Sequence, residues 1–131
     1  MALPVNRPLK EWNLDTHLAN ITTSGATAVC FTPVPFTGVV TRVYGAQYAV
    51  VSGSASIVSA AVNGGTPFAT MTFTSGTAAG QVVTPVLGTD TMVPAQGVPV
   101  VEGDVISFGS DGGSADGTMA CTFTAVLRRG I

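Results

Sequence analysis

Apolar and polar positions alternate along most of this chain, in short runs. In "FATMTFTS", Ala69, Met71 and Phe73 fall on one side of an extended strand, and Thr70, Thr72 and Thr74 on the other. In "TMACTFTAVLR", Met119, Cys121, Phe123, Ala125 and Leu127 share a face opposite Thr122, Thr124 and Arg128. A period of two marks a half-buried strand. Threonine suits the outer side because a β-branched side chain fits the pleat. The same reading predicts strands over Ala26–Thr32, Gly38–Tyr44, Gln47–Ser52, Ser56–Val62, Phe68–Ser75, Gln81–Val86, Val98–Val101, Asp104–Gly109 and Thr118–Arg128. Gly and Pro punctuate them, and "VNGGTP" reads as a hairpin turn in which Asn63 and Gly64 take positive φ. No helical period interleaves with these runs, which argues against an α/β fold. The expected fold is all-β: an antiparallel β-sandwich, jelly-roll-like, with a short N-terminal arm.

The pattern changes near Ser24-Gly25, dividing the chain into an arm over residues 1–24 and a β-sandwich domain over 25–131. Two conformations are open for the arm. Pro8 suits the first position of a helix, with Leu9 and Trp12, then Leu14, Leu18 and Ile21, at the spacing of one helical face. Asn13, Asp15, Thr16 and Asn20 are poor helix formers and favour an extended segment. In either conformation Trp12, Leu14 and Leu18 need a surface to pack on, because the segment is too short to fold alone.

At 131 residues the chain is long enough for one domain with a real core. Only 9% of its residues are charged, against about 25% in an ordinary soluble domain. Between residues 16 and 89 the single formal charge is Arg42. The hydrophobicity is spread in short pieces, and no run approaches the roughly 18 apolar residues of a spanning helix, so no membrane is expected. A net charge of -2 without a basic cluster argues against nucleic acid. "MALPVNRPLKEW" lacks a basic start followed by an apolar stretch, so synthesis in a cytoplasm without export is expected. In such a compartment Cys30 and Cys121 are expected as small buried hydrophobes rather than as a bridge.

Candidate chemistry is sparse. His17, the only histidine, has Asp15 alone nearby in sequence, and no nucleophile elbow, P-loop, HExxH or CxxC occurs. No enzyme activity and no cofactor are expected. The stretch "EGDVISFGSDGGSADG", residues 102–117, holds four of the seven acidic residues. Its spacing fails the EF-hand, whose third and fifth positions would here be Gly113 and Ala115. Two readings remain. Asp104, Asp111 and Asp116 could converge on a calcium ion. The favoured alternative is "EGD" as a tight turn with Gly103 at positive φ, "VISF" as a fully buried strand, and "SDGGSADG" as a hairpin loop to the last strand.

A short arm, "MALPVNRPLKEWNLDTHLANI", thus precedes a Thr/Ala/Gly-rich β domain. That domain contains "GVVTRVYGAQYAVVSG" and "VNGGTPFATMTFTSGTAAGQV" and closes on "VVEGDVISFGSDGGSADGTMACTFTAVLRR". In style and strand order this resembles the head decoration (cement) proteins of tailed bacteriophages. The resemblance implies a structural virion protein on the capsid surface, a trimer seated on the major capsid protein through its arm and the underside of its body. Carried onto this chain, the arm contacts are Arg7, Trp12, Leu14 and Leu18. Fibre-tip and tail-associated domains share the composition, so an adhesive module binding a host glycan or receptor is the alternative.

Overall fold

A computed structural model of the chain describes residues 11–18, 29–48, 55–74, 78–111 and 121–129. Among them are nine strands: β1 (Glu11–Leu18), β2 (Val29–Pro33), β3 (Gly38–Gln47), β4 (Ser56–Val62), β5 (Ala69–Phe73), β6 (Val82–Val83), β7 (Val98–Val100), β8 (Val105–Ser110) and β9 (Cys121–Arg129). They build two antiparallel sheets. The first runs β1-β9-β3-β6, with β7 also pairing β3, and the second runs β2-β8-β4-β5. The all-β, two-sheet architecture matches the expectation from alternation.

The sheets face each other over a core drawn from alternate residues. Phe108 of β8 stacks on Phe123 of β9, centroids 4.9 Å apart and planes 7° apart. Phe73 of β5 meets Phe123 edge-on at 6.0 Å. Ala69, Met71, Ile106, Ala125 and Leu127 are fully buried around them. The faces assigned to Phe68–Ser75 and to residues 121–128 by period alone are therefore the observed ones. Met119 of that reading lies outside the described residues.

Several expectations need correction. Gly45 does not break β3. A Cβ there would sit 2.8 Å from the Phe123 ring, so glycine is what lets the strand pass beneath that ring. The strand Gly38–Tyr44 therefore runs on to Gln47. Of the separate strand expected over Gln47–Ser52, the described part holds only the end of β3 and the bend at Tyr48. "VISF" is not buried throughout: Ile106 and Phe108 point inward while Val105 and Ser107 are only half-buried. Nor do β8 and β9 form a hairpin. They belong to different sheets. Most of "SDGGSADG" lies outside the described residues.

Of the two conformations open for the N-terminal segment, Glu11–Leu18 takes the extended one. It pairs with β9 along its whole length, from Glu11 opposite Arg128 to Leu18 opposite Cys121. This strand is part of the sandwich, and Leu14 packs against the core. The predicted turns are present. Asn63 and Gly64 take φ of 52° and 71° between β4 and β5, and Gly103 takes 93° in "EGD".

Candidate functional site

Among the described residues, Asp90, Asp104 and Asp111 are turn and edge fasteners. Asp104 Oδ2 accepts the Val101 N–H at 2.9 Å, and Oδ1 accepts the Asn63 side-chain amide at 2.9 Å. Asn63 Oδ1 in turn accepts the Val105 N–H at 2.9 Å. One carboxylate thus ties the turn before β8 to the turn after β4. These two hydrogen bonds, that of Val101 first, hold the Asp104 carboxyl below the usual carboxylate range. Asp111 closes the other end of β8, where its Oδ1 accepts the Ile57 N–H at 2.9 Å. Asp104 and Asp111 flank a six-residue strand, which separates them by about 23 Å at roughly 3.3 Å per residue. They do not meet at one ion, which overturns the calcium reading for that pair. Asp116 lies outside the described residues. Among the described residues, no group of three or more His, Cys, Asp and Glu side chains could hold a metal.

Both cysteines are free. Burial raises the Cys30 thiol and pushes Cys121 up to about 12, so neither is a poised nucleophile. His17 is exposed on β1 and lies 5.6 Å from the Tyr48 ring, centroid to centroid. Tyr48 in turn shares a hydrogen bond of 3.0 Å with the Thr122 hydroxyl. These contacts position an aromatic pair on the surface; they do not assemble an acid, a base and a nucleophile.

The four contact residues expected on the arm are not all in view. Arg7 lies outside the described residues, and Leu18 ends β1 opposite Cys121. Leu14 is half-buried against the core. Trp12 remains 45% exposed and meets Phe36 edge-on at 6.2 Å. The Arg129 guanidinium lies 4.8 Å from the centroid of that same Phe36 ring. Trp12, Phe36 and Arg129 form an aromatic–cation platform at one end of the sandwich, a combination enriched at binding hot spots.

The two outward faces of the sandwich differ in charge. On the first sheet, register places Glu11, Asp15 and His17 of β1 on the outside with Thr122, Thr124 and Arg128 of β9 and Arg42 and Tyr44 of β3. Asp15 accepts the Thr124 hydroxyl at 2.6 Å, and Arg42 lies 5.9 Å from the centroid of the Tyr44 ring. On the second sheet the outward rows are Phe31–Ser107–Ala61 and Val29–Gly109–Ser59–Thr70, flanked by Pro33–Val105 and Ile57–Thr72. No strand residue on that face is charged. The acids at its rim are engaged: Asp111 as above, and Asp90 by the Thr70 and Thr72 hydroxyls at 3.3 and 2.6 Å.

Phe31 projects from this second face with 64% of its surface exposed, beside small serine, glycine and alanine neighbours. Sequence reasoning put Phe31 in a strand but gave it no face. The parity of "VCFTPV" carried the signal, because Cys30, Thr32 and Val34 take the inward positions and leave Phe31 outside. Compared with family models, curated proteins and solved structures, the chain matches none.

Proposed function

We propose that this protein is a structural virion protein that binds the outside of a tailed-phage capsid and stabilises it. The observation that carries the reading is the uncharged outer face of the second sheet, with Phe31 exposed upon it. A face of aliphatic, hydroxyl and small side chains around one aromatic anchor can be desolvated without stranding a charge. Exposed strands without charge are also an association hazard unless a partner covers them. Trp12, at the end of the sandwich, is the second anchor. Binding to the assembled head would raise its stability by mass action, as any ligand of a native state does.

The strand order supports a jelly roll as the finer fold. β1 pairs β9, β2 pairs β8, β3 pairs β6 and β7, and β4 pairs β5, as in one long hairpin folded between β4 and β5. Rolling that hairpin up brings β9 beside β3 and β8 beside β4, and both pairings are present.

The test is co-sedimentation of the purified protein with heads lacking it, from the phage that encodes it, followed by heating. The expected result is saturable attachment and a higher bursting temperature. Failure to attach, or equal bursting temperatures with and without bound protein, would remove the cement role. The adhesive reading draws on the exposed Tyr48 beside His17. Selective binding to host cells, abolished by Tyr48→Ala, would put that reading in its place.

A further inference from the structure

Asn63 ties two parts of the second sheet together through both ends of its side-chain amide. Nδ2 donates to Asp104 Oδ1 at 2.9 Å, and Oδ1 accepts the Val105 N–H at 2.9 Å. The Asn63 backbone N–H donates to the Val105 carbonyl at 2.8 Å. Asp104 is itself held by the Val101 N–H at 2.9 Å. The tie stands where the β4–β8 ladder ends, one residue past Val62 opposite Ile106. Away from β8 the surroundings of Asn63 are open. Residues 63–67 are exposed, and a Cβ added at Gly64 would meet no atom within 4 Å.

This pair of residues is chemically labile. The backbone nitrogen that follows an asparagine can attack its side-chain carbonyl carbon. Glycine hinders the attack least, having no side chain and the widest choice of backbone angles. Asn63 is the only asparagine in the chain followed by glycine; Asn6, Asn13 and Asn20 precede Arg7, Leu14 and Ile21. The reaction needs no co-reactant but water. The Gly64 nitrogen gives up its proton and bonds to Asn63 Cγ, and the side-chain nitrogen leaves as ammonia, closing a cyclic imide. Water then opens the ring. Attack at one carbonyl leaves aspartate, and attack at the other leaves isoaspartate, whose main chain runs through Cβ.

We infer that Asn63 is a deamidation site guarded by Asp104, and that its conversion turns the tie between β4 and β8 into a repulsion. The guard is geometric. Attack requires the amide to swing towards Gly64, and its bonds to Asp104 and Val105 hold it towards β8. Reaction therefore waits for the turn to open locally. The consequence follows from the same atoms. Deamidation replaces the donor that faces Asp104 with a carboxylate oxygen, so two like charges stand at hydrogen-bond distance. Isoaspartate also lengthens the backbone of a turn in which the Gly65 N–H reaches the Val62 carbonyl at 2.9 Å. None of this depends on what the protein binds.

Ageing the full chain in mildly alkaline buffer, with peptide mass mapping and an isoaspartate assay, tests the inference. A free peptide of residues 60–69 is the unfolded reference. The wild type is expected to convert at position 63 and not at 6, 13 or 20, at least about tenfold more slowly than the peptide. Asp104→Ala should convert several-fold faster than the wild type. Asp111→Ala, which unties the other end of β8 from Ile57, should convert as the wild type does, and so separates local release from general destabilisation. Asn63→Asp keeps a residue type tolerated at positive φ. It should melt below the wild type at pH 7 and approach it at pH 4, because facing carboxylates take up a shared proton as pH falls. Wild-type conversion at the rate of the peptide, equal rates in the wild type and Asp104→Ala, or an Asn63→Asp protein that melts with the wild type at pH 7 would overturn it.

Discussion

The outer face of the first sheet and the outer face of the second share a core and differ in what they offer water. The first carries Glu11, Asp15, His17, Arg42 and Arg128, several of them in contact with neighbours on that face. The second carries hydroxyls, small and aliphatic side chains and Phe31. Isolated exposed hydrophobics are ordinary. A whole uncharged strand face with an aromatic at 64% exposure, on a chain that is 9% charged, is not what keeps a solitary domain apart from its neighbours. Under the proposed function the second face is the side that is covered, and that difference can be broken or sharpened by experiment.

The largest effect comes from removing what both faces rest on. Phe123→Ala empties the site where Phe73, Phe108 and Phe123 meet. It should cost about 3–5 kcal/mol, measured by urea unfolding, and attachment should be lost with the fold. Phe31→Asp should separate the faces. Its stability should stay within about 0.5 kcal/mol of wild type, as for ordinary surface changes. Attachment to heads should weaken by about 30-fold, the scale of a lost hot spot. Asp15→Asn, on the charged face, should attach as the wild type does. Salt gives a smaller and complementary reading: contact through an uncharged face should change less than about threefold between 0.05 and 0.5 M salt, because there is little charge to screen.

Smaller still is the acid response of the turn that ties β4 to β8. The Asp104 carboxyl is lowered in the fold, so its contribution is present above the ordinary value of 3.8 and lost as pH falls through the lower, folded one. The melting temperatures of wild type and Asp104→Asn should therefore converge as pH drops from 5 to 2. A gap that stays constant would show that ionised Asp104 adds nothing. The cysteines report at the other end of the scale. With Cys121 pushed up to about 12, a neutral-pH alkylating reagent should label both thiols only on unfolding. Stability should decline as pH rises from about 9, the ordinary thiol value, towards 12.

Much of this was readable from period two. Ser56–Val62 matches β4 residue for residue, and Ala69, Met71 and Phe73 are inward as alternation requires. The turn residues were readable for a local reason: Asn63, Gly64 and Gly103 sit where the backbone needs positive φ. β1 was not, because Leu14, Leu18 and Ile21 fall at a helical spacing while Trp12, Leu14 and Leu18 also fit a period of two, and only pairing with β9 decides between them. The candidate surface was hidden for the same kind of reason. Phe31, Ser59, Thr70 and Ser107 are far apart in sequence and share a face only through register. The role of Asp90 escaped because it makes no motif; its meaning lies in hydroxyls some twenty residues upstream, those of Thr70 and Thr72.

The most direct measurement places a photo-crosslinking residue at position 31 or position 15, on the two outward faces, and irradiates each protein bound to heads. The proposed function predicts an adduct with the head protein from position 31 and none from position 15. Adducts from position 15 alone would contradict it, and would assign docking to the charged face instead.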